Sequence, residues 1–374
     1  MHNYGYGKQS SSGSIEPVQF DREPLRAGEV AIDITHCGVC HSDLHQVNND
    51  WGNTVWPCVP GHEIVGIVTQ VGDGVSKFKV GDRVGVGCMV NSCQQCEYCK
   101  RGDEQYCQGP RSCTLTYNGP KKPDGTNTYG GYSTGIIVRE AFVLKIPDAI
   151  DSQHAAPILC AGITTYQPMK HFGLKAGHRI GVAGIGGLGH MAVQLAKALG
   201  AEVIALTTTP EKADLVKRLG ASEVVNMKDK AAVETAKKSL DFLLDTIPYE
   251  HDLQPYIGLM KTDGHIVVVG NFIKFPAFVP GDLVFERISV SGSLIGGVAD
   301  TQEVLELCAK HDIRPEVQLI DPKDVEWTYK QLKGEDVRFR HVMDMSLLKA
   351  RVQNKVDGIE DAAKLATPTR GEPN

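Results

Sequence analysis

The chain has 374 residues, enough for about two domains of roughly 100–200 residues each, and its formal net charge of -6 argues against a nucleic-acid or anionic-membrane partner. Hydrophobic residues make up 41% and charged residues 22%, an ordinary globular balance that can bury a core without disulfide staples. The polar start MHNYGYGKQSSSGSIEP lacks the apolar stretch of a signal peptide, and no apolar run reaches the ~18 residues of a membrane span, so a soluble, cytoplasmic protein is expected.

Short β-type runs come first, at Glu29–Thr35, Ile64–Val71 and Arg83–Val86. Gly72-Asp73-Gly74 and Gly81-Asp82 punctuate them, which predicts an irregular, mostly β domain. Inside it, four of the eleven cysteines crowd into Cys93-x2-Cys96-x2-Cys99-x7-Cys107. Free core cysteines would not gather among Gln94, Gln95, Glu97, Lys100 and Arg101. Four soft ligands at such spacing suit a closed, tetrahedral structural zinc.

The pattern changes near Asp151–Pro157. Strand-like and helical segments then alternate: Arg179–Ala183, helix Leu188–Leu199 closed by Gly200, Glu202–Leu206, and helix Glu211–Leu219 closed by Gly220. Ser222–Val225, Asp241–Asp245 and His265–Val269 continue the strands, and Thr301–His311 reads as a later helix. Alternation of this kind builds βαβ units on a parallel sheet. From about Lys349 to Asn374 the chain is polar, with Pro-Thr-Arg-Gly-Glu-Pro near its end, and a mobile appendage is expected.

Between the first strand and helix of the alternating region lies Gly184-Ile185-Gly186-Gly187-Leu188-Gly189, a G-x-G-x-x-G turn on Gly184, Gly186 and Gly189. The first glycine permits a tight turn, the second admits a pyrophosphate, and the third lets helix and strand pack closely. The helix N-terminus adds partial positive charge. Dinucleotide sites that take NAD place an acid at the end of the second strand to hold the ribose hydroxyl. Here Thr207, Thr208 and Thr209 stand there, followed by Glu211 and Lys212. Hydroxyls and an ammonium suit the extra phosphate of NADP(H), which a carboxylate would repel. Glu211 dissents from that reading unless it occupies a solvated helix face.

Cys40, His62 and Cys160 each sit at a turn or a domain junction. Singly, each reads as a buried thiol or a hydrogen-bonded histidine, and spacing cannot join them. Together, two cysteines and one histidine would leave the open fourth position of a catalytic zinc.

With these motifs in view, the sequence resembles the zinc-dependent medium-chain alcohol dehydrogenases, most nearly the cinnamyl alcohol dehydrogenase-like branch. The resemblance is carried by Cys37-Gly-Val-Cys-His-Ser-Asp-Leu-His45, Pro60-Gly-His-Glu-Ile-Val-Gly66, Val84-Gly-Val-Gly-Cys88, the four-cysteine loop and Leu159-Cys-Ala-Gly-Ile-Thr164. The glycine turn, Gly292-Ser-Leu-Ile-Gly296 and Asp336-Val-Arg-Phe-Arg340 follow in the same order.

The resemblance implies an α/β protein with a GroES-like β-rich catalytic domain, residues 1–160 and 298–374, and a Rossmann domain, residues 161–297, with the active site in the cleft between them. It implies two zinc ions per chain, NADP(H), a primary alcohol or aldehyde as substrate, and a homodimer paired through Rossmann sheet edges. Cys40, His62 and Cys160 resemble the catalytic zinc ligands, and Glu63 the carboxylate that can approach the metal. Asp43 resembles the acid that orients the histidine ligand. Ser42 and His45 resemble a proton relay, for which histidine suits because it exchanges protons near neutrality. His41 and Arg340 would face the cofactor pyrophosphate, while Thr164, Val269, Gly270, Ser293 and Ile295 would border the cofactor. Trp51, Cys88, Leu115 and Leu294 would line the substrate pocket. Leu115, ahead of Thr116-Tyr117-Asn118, replaces an aromatic residue of the plant enzymes, and Trp51 replaces an aliphatic one.

Other readings are weaker. A zinc-independent quinone reductase would lack both cysteine sets, and an NAD-dependent polyol dehydrogenase fits poorly with Thr207–Thr209. A zinc module that recognises nucleic acid or protein would not carry the negative charge and the glycine turn.

Overall fold

The computed structural model describes residues 1–110, 112–117, 122, 125–270, 274–333, 340–355, 359 and 362–365. The chain divides into two compact units. One comprises Met1–Cys160, Gly296–Ala309 and Arg314–Asn374, the other Ala161–Ile295 and Lys310–Ile313.

The first unit is built on a seven-stranded sheet among the described residues. Its path runs Val317–Ile320, Arg340–Asp344, Glu29–Val39, Ile64–Val71, Arg83–Val86 and Leu144–Lys145, with Gly135–Arg139 also paired to Glu29–Val39. The strand expected at Glu29–Thr35 continues to Val39. Its last residues find partners on both sides, Cys37 opposite Ile64 and Val39 opposite His341. That extension delivers Cys40 to the end of a central strand. The segment Pro60–Glu63 enters the neighbouring strand, and a π turn over Ile158–Gly162 carries Cys160.

A smaller sheet pairs His2–Gly7 with Glu16–Asp21, and Ala363–Lys364 adds to it in parallel. The polar tail expected from Lys349 onward is therefore partly ordered. Met345–Asn354 is a helix whose first turn is capped by the Asp344 carboxylate, which accepts Ser346 N–H at 3.0 Å. Leu348 is buried, Arg351 pairs with Asp321, and Leu365 N–H donates to the Gln19 carbonyl at 2.8 Å. Polar composition concealed these few anchors. The Pro-Thr-Arg-Gly-Glu-Pro end and residues 336–339 lie outside the described residues.

The second unit holds a six-stranded parallel sheet among the described residues. Its order is Glu223–Asn226, Glu202–Thr207, Arg179–Ala183, Leu240–Asp245, Met260–Val268 and Ser289–Gly292. Numbered along the chain this is 3-2-1-4-5-6, the doubly wound order of dinucleotide-binding sheets, which bind ligands beyond the strands' carboxyl ends. Ala183, Ile204, Leu206, Leu243 and Ile266 form part of its core. The expected helix Glu211–Leu219 is instead a 3-10 turn, Pro210–Lys212, followed by helix Ala213–Leu219. Lys212 N–H bonds to the Thr209 carbonyl at 3.2 Å, the shorter i to i+3 closure that tightens this turn. No helix among the described residues is long and apolar enough to cross a membrane.

Candidate metal and cofactor sites

Cys40 is the N-cap of helix His41–Asn48, so the turn that ends the strand aims its thiol while the helix begins beneath it. His62 and Cys160 meet it from the other two segments, with His62 Nε2 3.2 Å from Cys160 Sγ. One ligand atom from each of Cys40, His62, Glu63 and Cys160 lies within 4.8 Å of the others, and all four residues are buried. Two thiols, an imidazole and a carboxylate converging in a buried space form a donor set that fits zinc.

The two thiols do not share charge equally. A hydrogen bond from Cys160 holds the Cys40 thiol well below its ordinary value against burial, helped by Arg340, while Cys160 is pushed well above. Burial pushes the Glu63 carboxyl up to about 7 against the pull of Arg340, whose guanidinium bonds Glu63 Oε1. Glu63 Oε2 is buried and finds no hydrogen-bond partner, an orphaned acceptor on the fourth residue of the cluster.

Asp43, at the third position of the helix, organises this cluster. Its Oδ1 lies 2.8 Å from His62 Nδ1 and accepts Gly61 N–H at 2.8 Å, while Oδ2 accepts Cys40 N–H at 3.1 Å. His62 therefore carries its proton on Nδ1 and presents Nε2 toward Cys160, the tautomer that a metal requires. Ser42 is half-buried as the second residue of the same helix. His45, one turn on, bonds through Nδ1 to Asp50 Oδ2 at 2.8 Å. Its ring is followed by an aromatic series: His45 to Trp51 at 5.7 Å, Trp51 to Tyr117 at 6.1 Å, and Tyr117 to His62 at 4.5 Å. Cys88 is buried, its thiol 3.8 Å from the Leu159 carbonyl, and Leu115 pairs with Met89 beside it.

The four-cysteine loop is folded around its sulfurs. Cys93 Sγ and Cys99 Sγ are 3.9 Å apart, close to the ~3.8 Å edge of a tetrahedron with ~2.3 Å zinc–sulfur bonds. Backbone N–H groups of Gln95 and Cys96 point at Cys93, that of Gln108 at Cys96, and those of Cys93 and Gly109 at Cys107, all at 3.3–3.5 Å. Such donors favour thiolates: N–H groups of Cys99 and Gln108 lower the Cys96 thiol to about 6. The loop fits a second zinc.

In the other unit each glycine of the turn has its own geometry. Gly184 has φ 82°, in the left-handed region. A Cβ on Gly189 would lie 2.0 Å from the Gly184 carbonyl oxygen, whereas one on Gly186 would meet nothing within 4 Å. Close packing at the ends and open space in the middle form the cradle a pyrophosphate needs. Gly187 and Leu188 complete the turn, Leu188 as N-cap of helix Gly189–Ala198. Beside it, the Thr207 hydroxyl accepts Thr209 N–H at 3.0 Å, and Lys212 Nζ reaches back to the Ile185 carbonyl at 3.5 Å. Thr208 and Glu211 are exposed.

The remaining expected residues fall in different surroundings. His41 Nε2 donates to the Leu332 carbonyl at 2.9 Å, and Arg340 is held by Glu63. Val269 and Gly270 both donate N–H to the Asp245 carbonyl. Ser293 Oγ bonds Gln167 at 2.7 Å, Leu294 is half-buried, and Ile295 has φ 37°. The Thr164 hydroxyl is buried with no partner, a polar atom open to a ligand.

Sequence reasoning assigned no role to Tyr117, Tyr132 or Thr246. Tyr117 packs edge-on against His62, Tyr132 OH bonds Asp43, and the Thr246 hydroxyl donates to the carbonyls of Ala183 and Gly184. Tyr132 lies 70 residues beyond His62 with no local pattern to mark it.

Comparison with known proteins points to one family. The family described as alcohol dehydrogenase GroES-like domain matches residues 26–148, and that described as zinc-binding dehydrogenase matches residues 187–310. The chain is 44% identical over 348 residues to NADP-dependent alcohol dehydrogenase C 1 of Mycolicibacterium smegmatis, covering 92% of this chain and 98% of that one. The solved cinnamyl alcohol dehydrogenase of Sorghum bicolor superposes with a TM-score of 0.88 at 38% identity, covering 92% and 98% of the two chains. That of Helicobacter pylori, complexed with NADP(H), gives 0.86 at 38% identity over 92% and 99%.

Proposed function

This chain belongs to the zinc-binding alcohol dehydrogenases, in their cinnamyl alcohol dehydrogenase-like branch, and we propose that it interconverts aldehydes and primary alcohols with NADP(H), acting on aromatic or medium-sized aliphatic substrates. The observation that carries this reading is the buried convergence of Cys40, His62, Glu63 and Cys160. The aromatic series Trp51, Tyr117, His62 leads up to it and supports a substrate with a flat apolar body.

Cys40, His62 and Cys160 would hold one zinc, with Glu63 as an alternate ligand, and the four cysteines of the loop a second. Bound at the first site, zinc supplies Lewis acidity toward the substrate oxygen. The glycine turn would hold the cofactor, which supplies hydride. Thr207, Thr208 and Lys212 would recognise the 2′-phosphate, since Lys212 already reaches the turn that seats the pyrophosphate. The name of the Mycolicibacterium relative and the NADP(H) of the Helicobacter structure support that preference.

The chain's own acid–base groups follow from helix His41–Asn48. Ser42 Oγ gives its proton to the substrate oxygen as the carbonyl is reduced. Asp50 keeps the His45 proton on Nδ1, leaving Nε2 as the end that exchanges protons with the relay. In the reverse direction each proton moves the other way. Asp43 maintains His62 in its ligating tautomer throughout.

Two wider readings accompany this one. Ser289–Gly292 is an edge strand, and Val279, Val284, Phe285 and Val290 are exposed near it in sequence, which supports a homodimer paired edge to edge. All eleven cysteines are free, which supports a reducing compartment such as the cytoplasm.

The function is tested by following NADPH oxidation with a panel of aromatic and aliphatic aldehydes. Turnover with aromatic and medium aliphatic members is expected, and no turnover of any aldehyde with either nicotinamide cofactor would overturn it. Sedimentation of the purified protein as a monomer would remove the dimer.

A further inference from the structure

The Asp43 carboxylate has a fourth donor. Tyr132 OH lies 3.2 Å from Oδ2, and both residues are fully buried. Each carboxylate oxygen then has two donors: Gly61 N–H and His62 Nδ1 on Oδ1, Cys40 N–H and Tyr132 OH on Oδ2. We infer that Tyr132 is a positioning residue for the catalytic metal, acting through Asp43 to hold His62 and Cys40 in their ligating geometry.

The placement of Tyr132 is heavily determined. The segment around it docks on the stretch that carries His62: Gly130 N–H bonds the Val59 carbonyl at 2.6 Å, Gly131 N–H that of Gly61 at 2.9 Å, and Tyr132 N–H that of Pro60 at 2.9 Å. A Cβ on Gly131 would lie 2.4 Å from Ile64 Cγ1, so only glycine allows this approach. From the other side, the buried Arg22 guanidinium donates to the carbonyls of Thr128, Tyr129 and Gly135 and to Ser133 Oγ at 2.7–3.0 Å. Two independent sets of bonds thus fix the backbone that bears the Tyr132 ring.

Packing alone does not account for the hydroxyl. A buried phenol without a partner is costly, and a phenylalanine would fill the same volume without that cost. Besides its neighbour Tyr329, the group the hydroxyl reaches is the very carboxylate that orients His62. Without the hydroxyl, Oδ2 keeps only Cys40 N–H, and the carboxylate is held by three donors instead of four, which loosens its grip on His62 Nδ1 and on the Cys40 backbone. Partners at this remove from a metal typically change affinity or activity about 10–100-fold.

The inference rests on Cys40, His62 and Cys160 holding zinc, and its test separates the two. Zinc release from the intact protein into a chromogenic chelator is followed for wild type and Tyr132→Phe. The four-cysteine zinc serves as the internal control. Tyr132→Phe is expected to release the catalytic zinc about 10-fold faster or more, with the control phase unchanged and kcat lowered more than the KM for NADPH is raised. In an Asp43→Asn background the same substitution should add little, because its route runs through that carboxylate. Equal release rates in wild type and Tyr132→Phe, or full additivity with Asp43→Asn, would overturn the role of Tyr132 alone. A wild-type protein that releases zinc only from the four-cysteine loop would overturn the metal reading as well. Should Tyr132→Phe fail to fold, zinc release is compared between wild type and Ser133→Ala, which removes a hydroxyl held by Arg22 beside the ring, in the presence and absence of Asp43→Asn; release as slow as wild type in Ser133→Ala would overturn the claim that the placement of Tyr132 holds the metal.

Discussion

Glu104 Oε2 accepts the backbone N–H of Val298 at 3.1 Å, joining the end of the four-cysteine loop to the start of helix Val298–Lys310. A carboxylate at this position satisfies an orphan donor and faces the positive end of the helix. Beside it, a Cβ on Gly297 would lie 1.7 Å from the Gly102 carbonyl oxygen, so the two segments are in direct backbone contact. The contact also explains why the helix starts at Val298 and not at Thr301. Glu104→Ala should cost roughly 0.5–2 kcal/mol of stability, the range for losing a cap. Amide exchange of Val298–Thr301 should accelerate in that variant, and unchanged protection there would refute the capping role.

Elemental analysis should find two zinc ions per chain. Cys99→Ser should mainly damage folding, because a closed site contributes stability directly. Cys160→Ser should leave a folded protein with one zinc and no activity. A single zinc in the wild type would remove one of the two assignments.

Cofactor choice is read from kcat/KM at a fixed aldehyde. NADPH should be preferred, and Lys212→Ala should weaken NADPH more than NADH, because only NADPH carries the 2′-phosphate for the ammonium to meet. Equal values for the two cofactors in the wild type would contradict the roles of Thr207–Thr209 and Lys212.

Ser42→Ala should lower kcat by about 10²–10⁴-fold, the usual contribution of a positioned acid–base group. His45→Gln should cost less, since water can serve the outer end of the relay. Both variants should retain zinc and NADPH affinity. Near-wild-type kcat in Ser42→Ala, with a deuterium effect from labelled NADPH showing hydride transfer to be rate-limiting, would dismiss the relay.

His251 offers a pH signature away from the metals. Burial opposes its charge, but Asp245, with Oδ2 3.1 Å from Nε2, and the Tyr249 carbonyl outweigh it, and the imidazole titrates above its ordinary value. A raised folded-state value means that the charged form stabilises the fold. The stabilisation is complete below about pH 6.5, the unfolded value, and disappears as pH rises through the folded value. Wild type should therefore exceed His251→Gln in Tm most at mildly acid pH, and the gap should narrow toward alkaline pH. A gap independent of pH would exclude the ion pair as its source.

The sequence by itself determined what depends on neighbours along the chain. The glycine turn, the four-cysteine loop and the alternating strands and helices each declare themselves within a short window, because backbone reach and side-chain periodicity are local. Tertiary structure decided what depends on sheet pairing between distant segments. Cys40, His62 and Cys160 meet only because Glu29–Val39 lies beside Ile64–Val71 and a π turn brings in the third residue. Resemblance suggested the roles proposed for them, but no spacing could. The contacts of Tyr132 with Asp43 and of Tyr117 with His62 carry no sequence signal, since one buried hydroxyl or ring leaves no pattern until its partner is in place. The tail misled for the same reason: its composition is polar, and its order comes from Leu348, Arg351 and the pairing of Ala363–Lys364 with a strand more than three hundred residues earlier.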